Sequence, residues 1–198
     1  MKPIIRLLAL AALTSLAGQV RAESGIAPDA VSFAQVAALD GPAAALGTGM
    51  RDGILAAFEE ANRAGGVHGR TVHLDSFDDG YEPDQSVALV RSIISDDSHL
   101  GFIGAVGTPT SQAAQPITTE AGVPFIAPFT GAGFLRDPAL SNVINVRASY
   151  GAETEAWIAY LVDGLGLQSI AILYQDDGFG RVGLDGVVQA LDKRGMTL

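Results

Sequence analysis

Two kinds of apolar pattern alternate along this chain. Short β-prone stretches, beginning with 31–39, are followed by segments in which apolar side chains recur at helical spacing, such as Ile54, Phe58 and Ala61. Glycines at 65–66 and 122 mark helix ends. The pattern predicts strands over 31–39, 70–77, 100–106, 123–127, 142–146 and 169–174, and helices through 54–61, 83–94, 111–121, 152–165 and 182–194.

This alternation is typical of an α/β fold, in which helices flank a parallel sheet in three layers. Ligands bind such sheets at the carboxyl ends of the strands. We therefore expect a site where five loops meet that are rich in glycine, small hydroxyl side chains or acids: 40–46, 78–83, 107–110, 128–133 and 175–180. A domain boundary is predicted at 146–150, where a strand runs into a turn.

The first 22 residues have the features of a secretory signal. Lys2 and Arg6 give a basic start, 4–17 is almost wholly apolar, and small or modest side chains predict cleavage after Ala22. The apolar stretch is shorter than the roughly 18 to 20 residues that cross a bilayer, and no comparable stretch recurs downstream. We expect export to the periplasm.

The amino-acid composition excludes several kinds of site and partner. The chain has no cysteine, which excludes disulfides, thiolate metal sites and cysteine nucleophiles. Removal of residues 1–22 takes away three of the 12 Lys and Arg side chains and none of the 22 acids, so the formal net charge falls from −10 to −13. A chain this acidic is a poor partner for nucleic acid, and we expect no such partner.

No motif indicates catalysis. Gly47, Gly49 and Gly53 are spaced like part of a dinucleotide fingerprint, but Asp52 would repel a pyrophosphate, so a tight loop and close helix packing explain them better. No serine stands in a nucleophile elbow, and the three histidines are scattered without metal-ligand spacing. We expect no enzyme activity, no cofactor and no metal.

The turn at 107–111 is a candidate for binding a carboxylate. It joins a predicted buried strand to a helix, whose first backbone amides have no partner within the helix. Thr108, Thr110 and Ser111 could add hydroxyl donors, and Pro109 suits a first turn because it has no amide proton. Helix capping alone would account for one of these hydroxyls, so both interpretations stay open.

Two other strand-end loops carry candidate residues. Asp78, Asp79 and Tyr81 are interpreted as an acidic cap on the following helix rather than as a polar patch at the mouth of the sheet. Phe179, in the loop 175–180, could cover an apolar ligand or fill the core.

Seven segments carry further motifs: ALDGPAAALG at 38–47, ANRAGGVHGR at 61–70, FDDGYEP at 77–83, GAVGTPTSQAAQPI at 104–117, AGVPFIAPFTGA at 121–132, NVRASY at 145–150 and AILYQDDGFG at 171–180. In this order they resemble the periplasmic type I solute-binding proteins, especially the branched-chain amino-acid (leucine-binding) group of ABC importers. The resemblance covers nearly all of the chain after residue 22.

The resemblance implies two α/β lobes joined by a hinge, with a ligand held between them. Residues 23–147 would form the first lobe and 148–198 the beginning of an incomplete second lobe, with the first hinge crossing at 147–150. About as many residues again beyond Leu198 would complete the shape, so the chain is expected to be truncated.

The resemblance also implies site residues. Thr110 would help to hold the ligand carboxylate, Phe129 and Thr130 would contact the ligand from the neighbouring loop, and Phe179 would add an aromatic contact from the second lobe. Pro109 and Phe129 depart from the hydroxyl- and alanine-rich leucine-binding pattern. An aromatic amino acid, an amide or a short organic acid is therefore an alternative to leucine.

The predicted function is that of the extracytoplasmic solute-binding component of an ABC importer. It would bind a branched-chain amino acid or a related amino acid, amide or carboxylate, and present the closed state to a membrane permease. The alternative is the ligand-binding sensor domain of a signalling receptor or regulator. We also expect an incomplete second lobe to leave apolar faces around Trp157 and Ile170 without partners.

Overall fold

The computed structural model describes residues 23–198, which form five strands and five α-helices. The elements are β1 (Ala30–Ala37), α1 (Ala44–Arg63), β2 (Thr71–Asp78), α2 (Pro83–Asp96), β3 (Gly101–Ile103), α3 (Thr108–Glu120), β4 (Phe125–Ile126), β5 (Val143–Ile144), α4 (Tyr150–Ile158) and α5 (Gly178–Asp192), with a 3₁₀ turn at Gly133–Arg136 and a π-helical turn at Ala159–Gly164. All strand pairs are parallel, in the order β2-β1-β3-β4-β5. The predicted α/β fold is confirmed.

Helices cover both faces of the sheet, because successive side chains of a strand point to opposite faces. Phe33 of β1 packs against Phe58 of α1, with ring centroids 5.9 Å apart. Its neighbour Ala34 points to the other face. There it joins a buried cluster with residues of α2 and α3: Ala34, Val36, Val90, Ile93, Phe102, Ala105, Ala114, Phe125 and Leu135. This is the three-layer arrangement that the sequence pattern predicts.

A second, smaller hydrophobic cluster lies after residue 148. Its buried members are Ile158 of α4 and three residues of α5, Val187, Ala190 and Leu191. The two separate clusters support the predicted division at 147 and 148, which stays a prediction. An unpartnered apolar face was expected around Trp157 and Ile170. Trp157 is indeed exposed, but the expectation is wrong for Ile170, which packs against the second cluster.

The segment 169–174 is not a strand in the structure. Its apolar pattern suits a strand, but no other segment among residues 23–198 lies beside it to form a hydrogen-bond ladder, and Leu173 is fully exposed. Strand pairing requires a neighbouring strand with unpaired backbone groups. The prediction of a sixth strand is therefore wrong for the described residues.

Helices α3 and α5 begin earlier than predicted. α3 starts at Thr108, with Pro109 in its first turn as expected. α5 starts at Gly178 because the Asp177 carboxylate accepts hydrogen bonds from the amides of Phe179 and Gly180, at 2.9 and 3.0 Å. Phe179 therefore lies in the first turn of a helix rather than in a loop.

Residues 23–198 contain neither a membrane-spanning helix nor a cluster of metal-ligating side chains. No helix in this range is both long and apolar enough to span a bilayer. In the same range, no group of three or more histidine and acidic side chains is arranged to hold a metal ion. The predicted signal peptide at 1–22 lies outside the described residues.

Candidate functional site

A cavity of about 460 Å³ lies at the carboxyl ends of the strands. Each of the five loops expected to meet there contributes to its wall, through Leu46, Tyr81, Thr108, Phe129 and Gln175. The facing wall comes from α4 and the first turns of α5, through Tyr150, Glu153, Thr154, Trp157, Phe179 and Gly183. A largely apolar cavity of roughly 300 to 1,000 Å³ with a few polar groups is typical of a small-molecule site.

Gly107 shapes the turn that brings β3 to this cavity. Its φ of 105° lies in the region that favours glycine. A Cβ atom there would lie 2.6 Å from the Thr110 hydroxyl and 2.6 Å from a ring carbon of Tyr81. The glycine therefore allows the Tyr81 ring to pack against the start of α3.

The three hydroxyl side chains predicted in this turn do not converge on the cavity. Thr108 lines it, whereas Thr110 donates a hydrogen bond to the Val106 carbonyl at 2.5 Å. Ser111 is buried, and its hydroxyl has no partner among residues 23–198. An α-helix turns roughly 100° per residue, so Thr110 lies on the opposite side of α3 from Thr108. Ligand binding by these residues stays a prediction.

Of the two predicted residues in the loop 128–133, only one lines the cavity. Phe129 lines the cavity and is partly exposed, while Thr130 is fully buried. The Thr130 hydroxyl lies 2.7 Å from the Thr108 hydroxyl, so the two loops are joined by a buried hydrogen bond. Thr130 therefore supports the cavity wall from behind it.

Phe179 lines the same cavity as Phe129 and is not a core residue. Its side chain is 42% exposed, and its ring packs edge-on against Tyr150, with centroids 5.6 Å apart. Tyr150 in turn packs against Gly131, where a Cβ atom would lie 2.5 Å from the Tyr150 ring. The interpretation of Phe179 as a residue that fills the core is therefore wrong, and its contact with a ligand stays a prediction.

Arg147 is a cavity residue that the sequence analysis treated only as part of a hinge. Its guanidinium lies 5.1 Å from the Phe129 ring centroid and 5.2 Å from that of Tyr150, within the range of cation–π attraction. It also forms an ion pair with Glu153 of α4. Arg147 follows β5 as Phe129 follows β4, so the strand-end rule, applied to β5, would have found it.

The backbone of Arg147 is held by a second arginine. Arg136 donates hydrogen bonds to the carbonyls of Ala132 at 2.7 Å and of Arg147 and Ala148 at 3.0 Å each. Burial, and then the charge of Arg147, lower the pKa of Arg136 from its ordinary value. These bonds fix the segment that joins β5 to α4.

The cap interpretation is wrong for Tyr81, which lines the cavity. Neither acid before it caps a backbone amide of α2. Asp79 instead accepts hydrogen bonds from the Ser86 hydroxyl at 2.6 Å and from the Tyr81 amide at 2.9 Å. Asp79 thus ties the loop to the first turn of α2 through a side chain and positions Tyr81.

The Tyr81 hydroxyl remains protonated at neutral pH. Burial is the main cause that raises its pKa to about 12, followed by the negative charge of Asp177 and by Tyr150 and Asp79. A hydrogen bond with the backbone of Thr108 lowers the pKa of Tyr81 and offsets part of this rise. Tyr81 can therefore donate a hydrogen bond into the cavity.

The amino termini of α3 and α5 meet beside the cavity. A Cβ atom on Gly178 would lie 3.8 Å from the Thr108 methyl carbon and 4.0 Å from the Pro109 nitrogen. Each helix N-terminus carries a partial positive charge. The Asp177 carboxylate already caps α5, whereas no side chain caps α3, so a negatively charged ligand group is favoured at the start of α3, near Thr108.

Comparison with known proteins identifies the family. A family model described as periplasmic binding protein matches residues 30–198. The chain belongs to this family. Membership in the periplasmic binding protein family implies an extracytoplasmic location.

Individual relatives agree with this assignment. The Leu/Ile/Val-binding protein homolog 3 of Brucella melitensis is 29% identical over 170 residues, which is 84% of this chain and 45% of the relative. The crystal structure of a possible leucine/isoleucine/valine-binding protein from Rhodopirellula baltica superposes with a TM-score of 0.80 at 35% identity, over 90% of this chain and 47% of that one. A substrate-binding periplasmic protein from Ralstonia solanacearum gives a TM-score of 0.77 at 30% identity, over 84% and 47%.

The chain spans about half the length of these relatives. The match confirms the resemblance to the type I binding proteins and the fold that it implies. The relatives of this periplasmic binding protein are named as binding proteins rather than enzymes, which agrees with the expectation of no catalysis.

Proposed function

We propose that this chain is the ligand-binding part of an extracytoplasmic solute-binding component of an ABC importer. The observation that carries the proposal is the cavity, whose two walls come from the strand-end loops and from α4 and α5. A ligand that contacts both walls favours the conformation in which they are close. A membrane permease would then recognise the closed form.

The proposed ligand is an amino acid or a related amide or carboxylate. Relatives are named Leu/Ile/Val-binding proteins, and the start of α3, which has no side-chain cap, favours a carboxylate. Thr108, Phe129 and Phe179 are proposed as direct contacts. Thr130 would orient the Thr108 hydroxyl, and Thr110 and Ser111 would act only through the position of α3.

The test is isothermal titration calorimetry of the full-length protein with branched-chain and aromatic amino acids, their amides and short carboxylates. At least one solute is expected to bind with a Kd of about 100 μM or lower. Phe179→Ala should weaken that binding about tenfold or more. Leu55→Ala in α1 is the matched control, because Leu55 is 43% exposed and lies away from the cavity, compared with 42% for Phe179. Binding of no solute in the panel would refute the proposal.

A further inference from the structure

The cavity contains a fixed pair of opposite charges with unused hydrogen-bonding capacity. The side chains of Arg147 and Glu153 both line it and are 27% and 24% exposed. One terminal nitrogen of Arg147 donates to one oxygen of Glu153, and neither side chain has another hydrogen-bond partner among residues 23–198. A guanidinium has five N–H donors and a carboxylate about four acceptor positions, so most of both groups is available to a ligand.

The pair is held in place before any ligand binds. The rings of Phe129 and Tyr150 flank the guanidinium, and Arg136 fixes the backbone of Arg147. Glu153 lies in the first turn of α4, whose start is capped by the Ser149 hydroxyl. Groups held in this way lose little conformational freedom when they bind a ligand.

The chemistry of the pair favours a ligand that carries both charges. A ligand with only a carboxylate would gain the attraction of Arg147 but would approach the negative charge of Glu153. A ligand with only an ammonium group would gain the attraction of Glu153 but would approach the positive charge of Arg147. A free α-amino acid can place its carboxylate against the remaining donors of Arg147 and its ammonium group against the second oxygen of Glu153.

The rest of the lining favours an aromatic side chain. Six aromatic residues line the same cavity, and two of them flank Arg147: Tyr81, Phe129, Tyr150, Trp157, Tyr174 and Phe179. Aromatic rings attract one another in edge-to-face and offset arrangements in addition to burying apolar area. A cavity lined in this way suits a ring better than a short aliphatic chain.

We propose that Arg147 and Glu153 are the charge-recognition pair of the cavity and that its ligand is a free α-amino acid with an aromatic side chain. This inference rests on the proposed solute-binding function and names the ligand class. It assigns to two residues at the junction of β5 and α4 a direct role in binding.

The test compares three probes that share a phenyl ring: L-phenylalanine, 3-phenylpropanoate and 2-phenylethylamine. Calorimetry of the full-length protein should show L-phenylalanine binding about tenfold or more tightly than either probe with a single charge. Arg147→Gln should weaken phenylalanine and 3-phenylpropanoate about tenfold and strengthen 2-phenylethylamine, because the repelling guanidinium is gone and Glu153 has lost its partner. Glu153→Gln should weaken phenylalanine and 2-phenylethylamine and strengthen 3-phenylpropanoate for the converse reason.

Arg181→Gln is the matched control, because it breaks the exposed ion pair with Asp176 and should leave all three affinities unchanged. Circular dichroism checks that each variant folds. If Arg147→Gln does not fold, the three affinities of Glu153→Gln are sufficient to test the inference. Equal weakening of all three probes by both variants would show a purely structural pair and overturn the inference. Binding of leucine but not phenylalanine would overturn the aromatic class, whereas binding of no solute would refute the proposed function itself.

Discussion

The region before Arg147 and the region after it contain the same alternation of apolar stretches and helices, but they differ in what each stretch contacts. Before Arg147, every predicted strand has a parallel neighbour, and α2 and α3 bury one continuous cluster against the sheet. After it, α4 and α5 pack against each other around four buried residues, and 169–174 has no strand partner within 23–198. The difference shows that a strand-forming pattern becomes a strand only where a neighbour supplies the hydrogen bonds.

The two regions also use polar side chains differently. In the first, Gln35 is buried and donates to the carbonyls of Gly47 at 3.3 Å and Gly104 at 3.2 Å, which ties α1 to β1 and β3. In the second, the partly buried Arg194 pairs with the more exposed carboxylates of Glu155 and Asp163, at 2.8 Å each. Buried hydrogen bonds are costly to break, whereas ion pairs whose carboxylates are exposed to solvent contribute less to stability.

The largest expected effect comes from emptying each hydrophobic cluster. Phe102→Ala should reduce the free energy of unfolding by about 3 to 5 kcal/mol and Leu191→Ala by about 2 to 5 kcal/mol, because both side chains are fully buried. Amide hydrogen exchange should show which region loses protection in each variant. Leu191→Ala should accelerate exchange in α4 and α5 and leave β1 and β3 protected. Equal acceleration in both regions would show that they unfold as one unit and would break the comparison.

A smaller effect is expected where α1 touches the sheet. A Cβ atom on Gly47 would lie 1.8 Å from the Ala38 carbonyl oxygen, whereas one on Gly49, in the same helix, would meet nothing within 4 Å. Gly47→Ala should therefore cost about 1 to 3 kcal/mol, because a backbone atom must shift. Gly49→Ala should stabilise the helix by about 0.5 to 1 kcal/mol. Urea denaturation measures both, and similar midpoints for the two variants would contradict the packing.

The matching glycine test in the second region should give a smaller loss. A Cβ atom on Gly186 would lie 2.4 Å from the Thr154 hydroxyl, which can move more easily than a backbone carbonyl. Gly186→Ala should reduce the free energy of unfolding by about 1 kcal/mol, at the low end of overpacking costs. Gly183→Ala, in the same helix with nothing within 4 Å, is the control and should be stabilising. A greater loss of stability for Gly186→Ala than for Gly47→Ala would show that the helix packing after Arg147 tolerates an added methyl group less well than the packing of α1 on the sheet.

The smallest expected effect is a pH dependence of opposite sign in the two regions. Burial raises the pKa of Asp79 above its ordinary value, so its contribution to stability is fully present below the unfolded pKa of about 3.9 and is lost as the pH rises through the folded value. Hydrogen bonds from Arg194 and Lys193 lower the pKa of Glu155, so its contribution is present above the unfolded pKa and is lost as the pH falls through the folded value.

Thermal unfolding between pH 3 and pH 7 separates these two signs. Asp79→Asn should make the Tm fall more steeply on acidification, because the favourable effect of protonating Asp79 is gone. Glu155→Gln should make the fall shallower. The two variants serve as controls for each other, because their slopes are expected to change in opposite directions. Identical slopes in all variants would show that these carboxyls do not control the acid response.

Much of the candidate site could be predicted from the sequence, because it follows from strand order. The carboxyl ends of parallel strands lie at one edge, so glycine-rich loops after strands were expected to meet, and Thr108, Phe129 and Phe179 line the cavity. Thr110 and Ser111 do not, because their direction depends on where α3 begins. Arg147 was missed because the strand-end rule was not applied to β5, and Glu153 was missed because no motif links a helix residue to the end of the preceding strand.

The sequence by itself determined the order of helices and strands, the α/β class and the family, since apolar periodicity and local motifs are properties of neighbouring residues. The tertiary structure alone decided which apolar stretches pair and which side chains share the cavity. The segment 169–174 has no strand beside it within 23–198, Tyr81 lines the cavity, and Arg147 forms an ion pair with Glu153. These outcomes depend on contacts between distant segments, which no local pattern specifies.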